Sequence, residues 1–172
     1  CRAASSVKSV KFKQASCLLP PPATMLIDSI EVYHVAMPLA VPWTTAYGSD
    51  AEIESVLVRI SSGAHHAWAE SCPLGAPQYS AEYAAGVFQL VTRELARCVL
   101  GRDVTSGEQL QGLLEHYKGN PFAKGALDNA WWALQSVVTQ TPLWQLVGGV
   151  QPEIEVGEAF EILSDPEKKA RY

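Results

Sequence analysis

Between Glu54 and Ser71 the chain alternates in character on either side of a short turn, and no other segment limits the fold as much. In Glu54 to Ser61, Val56, Val58 and Ile60 share one face while Ser55, Leu57 and Arg59 point to the other, which is the period of a strand. Ser62 and Gly63 turn the chain, and His65 to Ser71 returns beside it. Before them, Leu26 to Pro38 carries Ile27, Ile30, Val32, Tyr33 and Val35, a β-branched and aromatic composition that suits a further strand. Such an antiparallel meander is not stable without something on its apolar face, so later segments must cover it.

The later segments have helical periods. Ser80 is placed to cap a helix through Tyr83, Val87, Leu90, Val91, Leu95, Cys98 and Val99, which Gly101 stops. Ser106 can cap a shorter helix through Leu110, Leu113 and Leu114, ending near Gly119 and Asn120. Pro121 opens the longest stripe, Ala123, Ala126, Leu127, Ala130, Trp131, Leu134 and Val138, which is expected to be the most buried helix. Pro142 starts a last turn with Leu143, Leu146 and Val147, closed by Gly148 and Gly149. Three strands followed by three or four helices predict an α+β domain over residues 25–150, a three-stranded meander packed on a helix bundle.

Two connections break these periods. Pro38, Pro42 and Gly48 enclose Trp43, Thr44, Thr45, Ala46 and Tyr47, expected to form an exposed loop, and Cys72 to Tyr79 forms a second one containing Leu74 and Pro77.

The ends differ in composition from this body. Residues 1–24 hold Arg2, Lys8, Lys11 and Lys13, no acidic residue, and the run Pro20 to Pro22, and they read as a disordered basic tail. The lack of acids is shared with organelle transit peptides, which favour Arg over Lys, and Met25 has the look of a natural start. With a formal net charge of −5 and no basic stripe in the body, nucleic acid is not an expected partner. No apolar run reaches the ~20 residues of a membrane span. Cys1, Cys17, Cys72 and Cys98 have neither metal-ligand spacing nor the density of a disulfide scaffold, so the expected location is the reducing cytoplasm.

Other constellations carry little chemistry. His65 and His66 are adjacent on a strand and point to opposite faces, which prevents them from sharing one metal ion easily. Gly148 and Gly149 lack the context of a nucleotide-binding loop. Trp131 and Trp132 cannot both face one core, so one of them is expected at a surface. No catalytic residue and no metal ligand is assigned.

Several strings, in one order, resemble the capping domain of the muconate-lactonizing and mandelate-racemase branch of the enolase superfamily. They are Met37-Pro38-Leu39 leading to the Trp43 to Gly48 loop, Trp68-Ala69-Glu70 before Pro77 and Tyr79, Asn120 to Ala126, Leu127 to Trp132, and Pro142 to Gly149. Within the superfamily the chain is most similar to the o-succinylbenzoate synthase and N-acylamino acid racemase group.

The resemblance implies a cap whose two loops shape a substrate pocket at the mouth of a (β/α)₈ barrel, with Trp43, Thr44, Thr45, Tyr47, Leu74 and Pro77 facing that pocket. It implies a chemistry of proton abstraction next to a carboxylate, with lysine bases and Mg²⁺ held by carboxylates of the barrel. This chain has at most the first barrel strand, within residues 151–172, so the cap alone is expected to be inert and to hold no cofactor. Expected partners are the barrel, or another copy through the exposed cap face, and a small carboxylate substrate for the intact enzyme. Ala133 stands where the family usually has Asp.

Glu158 to Tyr172 also resembles the end of a J-domain, although the His-Pro-Asp loop of that co-chaperone module is absent. Two alternatives therefore stand beside the cap: a non-catalytic interaction module with a J-like tail, and the product of a truncated or misassembled gene.

Overall fold

The structure is a computed structural model and describes residues 25–46 and 48–150. Three antiparallel strands, β2 (Ser29–Thr45), β3 (Gly48–Ser62) and β4 (His65–Ser71), form a meander in that order. Val56, Val58 and Ile60 are fully buried on its inner face, with Ala67 nearly so, as the alternation requires. The outer face carries Tyr33 and Trp68 with ring centroids 5.7 Å apart, and Arg59 bound to Glu31. The hydrogen bond donated by Tyr33, followed by that from Arg59, holds the Glu31 carboxyl below its usual range.

The helices cover the inner face. α1 (Ala84–Leu90), a π-helical turn (Val91–Leu95) and α2 (Ala96–Val99) run end to end, followed by α3 (Gly107–Leu114), α4 (Pro121–Thr139) and the single turn α5 (Leu143–Leu146). α4 lies across β4 and β3, where the small side chains of Ala123, Ala126 and Ala130 let it approach the sheet closely. Its buried positions include every expected residue from Ala123 to Leu134, and it contributes more buried residues than any other helix. Trp131 is fully buried and meets the half-buried Trp132 edge to face at 4.8 Å. Trp132 in turn closes over Gly107 at the start of α3.

Four features depart from the sequence reading. The segment Trp43 to Gly48 is not an open loop between strands. β2 runs on as far as Thr45, pairing Trp43 with Asp50, Thr44 with Ser49 and Thr45 with Gly48. Pro38 and Pro42 are tolerated because β2 is an edge strand, and Leu39, Ala40, Val41 and Pro42 stand opposite Ala51 alone, so a bulge absorbs the missing donors. Second, Ser80 does not cap a helix: its hydroxyl donates to Glu82 O at 2.8 Å, and α1 starts at Ala84 after Tyr83.

Third, the expected single helix contains the π-helical turn, in which Val91 and Leu95 stay buried and the Thr92 hydroxyl donates to Phe88 O at 2.7 Å. Fourth, a small sheet pairs β1 (Met25–Leu26) with β5 (Asp103–Val104), burying Met25 and Val104. Strands this short leave too few residues for any periodicity to show. Residues 1–24 and 151–172, with the basic tail and the J-like string, lie outside the described residues.

Candidate functional site

The tip of the β2–β3 hairpin leans towards the segment after β4, and the two enclose a cleft of about 390 Å³. Trp43 and Thr45 enter from β2, Gly48, Asp50 and Ile53 from β3, and Cys72, Pro73, Leu74, Gln78 and Tyr79 from the segment opposite, with Phe122 of α4 as the remaining wall. Trp43 and Tyr79 remain 49% and 75% exposed, so two large aromatic rings border an open mouth. An apolar, aromatic wall of this kind excludes water from whatever it covers.

Backbone geometry fixes the second segment. Leu74 adopts φ 71°, a left-handed conformation that costs a side-chain-bearing residue about 1–2 kcal/mol and persists only where the surroundings impose it. Its carbonyl accepts the Ala84 N–H at 2.8 Å, tying the segment to the start of α1. On the other side, Glu54 binds His34 Nε2 at 2.6 Å and packs against Gly75, where a Cβ would lie 2.5 Å from the carboxylate. The Cys72 thiol donates to Glu54 O at 3.7 Å.

Two recesses adjoin the cleft. One of about 450 Å³ is polar, shares Asp50, Leu74 and Gln78 with the cleft, and adds Glu52 and Glu54. The other, of about 310 Å³, lies beside the start of α4, shares Cys72 and Phe122, and adds Glu70 and Asn129. The Glu70 carboxylate accepts the Ser55 hydroxyl at 2.6 Å.

Of the residues singled out in the sequence, Trp43, Thr45 and Leu74 meet in the cleft. Thr44 lies one position off, its hydroxyl 3.1 Å from that of Ser49 across the hairpin, and neither Thr44 nor Pro77 lines the cleft. Tyr47 lies outside the described residues. Asp50, Ile53 and Phe122 were not singled out. Ile53 falls on the strand face of Ser55 and Leu57, and an apolar side chain on the face away from the core was the available signal. Phe122 lies within the Asn120 to Ala126 string, but only the packing of α4 brings it to the hairpin.

The resemblance implies Mg²⁺ in intact enzymes of the superfamily. Among the described residues no group of three or more His, Cys, Asp or Glu side chains is placed to hold a metal ion, so these residues do not fit such a site. Among them, too, no helix is long and apolar enough to cross a membrane.

Comparison with known proteins gives a consistent picture. The family model "Mandelate racemase / muconate lactonizing enzyme, N-terminal domain" matches residues 27–148. An N-succinylamino acid racemase of Thermus thermophilus is 31% identical over 147 residues, 86% of this chain and 40% of the relative. An o-succinylbenzoate synthase of Geobacillus stearothermophilus is 30% identical over 137 residues, 79% of this chain and 36% of the relative. The crystal structure of an unknown member of the enolase superfamily from Enterococcus faecalis V583 superposes with a TM-score of 0.70 at 27% identity, covering 78% of this chain and 37% of that one. This chain thus spans about two fifths of the length of the curated relatives it matches. These matches give no support to the J-like reading of Glu158 to Tyr172.

Proposed function

Since the chain belongs to the mandelate racemase / muconate lactonizing enzyme family through that family's N-terminal domain, we propose that it caps a catalytic barrel that abstracts a proton next to a substrate carboxylate. The reaction is that of an o-succinylbenzoate synthase or an N-acylamino acid racemase, in keeping with relatives named o-succinylbenzoate synthase and N-succinylamino acid racemase. One observation carries this reading: the hairpin tip and the Cys72 to Tyr79 segment, far apart in sequence, meet in a single apolar cleft.

In this role the cap performs no bond-making itself. Trp43, Ile53, Leu74, Tyr79 and Phe122 cover the part of the substrate remote from the reacting carbon and hold water away from it. Thr45 and Gln78 supply polar groups for orientation. Exposed apolar side chains at Leu143, Trp144, Val147 and Val150, next to the end of α4, support a second face against which the barrel docks. The free thiols of Cys72 and Cys98 suit the reducing cytoplasm.

The test is a chimera in which residues 25–150 replace the cap of the Thermus racemase. The chimera is expected to racemise an N-succinylamino acid and, with Trp43→Ala, to show a raised KM. The 172-residue chain alone, with Mg²⁺ and 2-succinyl-6-hydroxy-2,4-cyclohexadiene-1-carboxylate, is expected to form no o-succinylbenzoate. A folded but inactive chimera, or an active one indifferent to Trp43→Ala, would remove the basis for the reading.

A further inference from the structure

Asp50 is the direct cross-strand partner of Trp43. Residues so paired hold their Cβ atoms about 4.5–5.5 Å apart, which puts an indole and a carboxylate at the same end of the cleft. Asp50 is the charged side chain of the cleft, and no Lys, Arg or His among the described residues lines it. The ion pairs among the described residues are His34 with Glu54 and Arg59 with Glu31, so within them the Asp50 charge is not neutralised. Glu52, in the adjoining recess, adds negative potential of the same sign.

An anion entering this end meets repulsion and finds no donor of opposite charge. A cation on an apolar stem fits each part of it: the stem lies along Ile53 and Leu74, and the head sits between the indole of Trp43 and the carboxylate of Asp50.

We propose that Asp50 is a specificity-determining residue and that the substrate presents an ammonium or guanidinium group to the cap, as an N-acylated basic amino acid does. The inference rests on the cap reading above and narrows it. A racemase substrate with a basic side chain is favoured over the precursor of o-succinylbenzoate, which has no cationic group to set against Asp50.

The experiment is an NMR titration of the 172-residue chain with Nα-succinyl-L-arginine, Nα-succinyl-L-norleucine and Nα-succinyl-L-glutamate, following the Trp43 indole and Leu74 methyl signals. The arginine compound is expected to bind about three- to fivefold more tightly than the norleucine compound, the scale of an exposed ion pair with a cation–π contact. The glutamate compound is expected to bind most weakly, and Asp50→Asn to bring the affinities of the three compounds together. Because Asp50 is exposed on a strand, the substitution leaves the core intact. Equal shifts from all three compounds, or a preference that survives Asp50→Asn, overturn the inference and leave the cap reading standing. If none of the compounds moves either signal, the inference and the cap reading of the cleft fall together.

Discussion

The Glu82 carboxylate accepts the backbone N–H of Phe122 at 2.8 Å, and its other oxygen accepts that of Ala123 at 3.0 Å. A side chain from the turn before α1 therefore caps the longest helix, some forty residues away. The local candidate is occupied elsewhere: Asn120 adopts φ 56° and its side-chain amide donates to Lys118 O, while Pro121 has no N–H to satisfy. The bond also couples fold to site, because Phe122 is a wall of the cleft.

Glu82→Ala is accordingly expected to lower stability by about 1–2 kcal/mol, the cost of losing a charged cap and leaving two helix donors without it. Glu82→Gln, which keeps one acceptor, is expected to cost less than half as much. Urea unfolding followed by circular dichroism reads both, and midpoints unchanged in both variants would show that water satisfies those donors equally well.

This cap also shows where sequence reading stopped. The alternation of Val56, Val58 and Ile60 and the stripe from Ala123 to Leu134 have clear periods, so the meander and its main covering helix were legible. Ser80 looked like a cap because capping preference is a local statistic, and nothing local reports that Glu82 is needed by another helix. The hairpin tip was misread for a related reason: prolines end a central strand but not an edge strand, and edge position is a tertiary fact. In the site, Trp43 and Leu74 were marked by the strings around them, whereas Asp50 depended on the register across the bulge.

Gly75 is where the second segment of the cleft is most closely held. A methyl group there would lie 2.5 Å from a Glu54 carboxylate oxygen, so Gly75→Ala is expected to swing that side chain away from His34. The segment then loses a contact, not its fold. Amide exchange at Leu74, Gly75 and Ala76 is expected to quicken several-fold, with the urea midpoint shifted by less than about 1 kcal/mol equivalent. Exchange rates unchanged in the variant would mean that Leu74 and its bond to Ala84 hold the segment unaided.

Trp131 is fully buried, yet its indole N–H has no hydrogen-bond partner among the described residues. Truncation and donor removal are therefore expected to separate. Trp131→Ala opens a cavity against α4 and the sheet and is expected to cost about 3–5 kcal/mol. Trp131→Phe keeps most of the ring and removes the unpaired donor, whose burial costs about 1–3 kcal/mol, so a much smaller loss is expected. Comparable losses in the two variants, measured by urea unfolding, would contradict this assignment.

The last expectation concerns pH. The Tyr117 hydroxyl donates to Glu94 Oε2 at 3.0 Å, and this bond, with lesser contributions from burial and the neighbouring Cys98, pushes its pKa from 10.0 up to about 12. Ionisation would break the bond and set a second negative charge beside Glu94. Because the folded-state value is the raised one, the stabilisation is fully present below pH 10, where the unfolded phenol is still protonated, and is lost as pH rises towards 12. Absorbance titration at 295 nm is expected to show a late phenol that Glu94→Gln returns towards the ordinary value and Tyr117→Phe removes. Between pH 10 and 12 the urea midpoint of the unaltered chain should fall more steeply than that of Tyr117→Phe. Parallel curves would mean that the bond between the π-helical turn and the segment after α3 adds nothing to the fold.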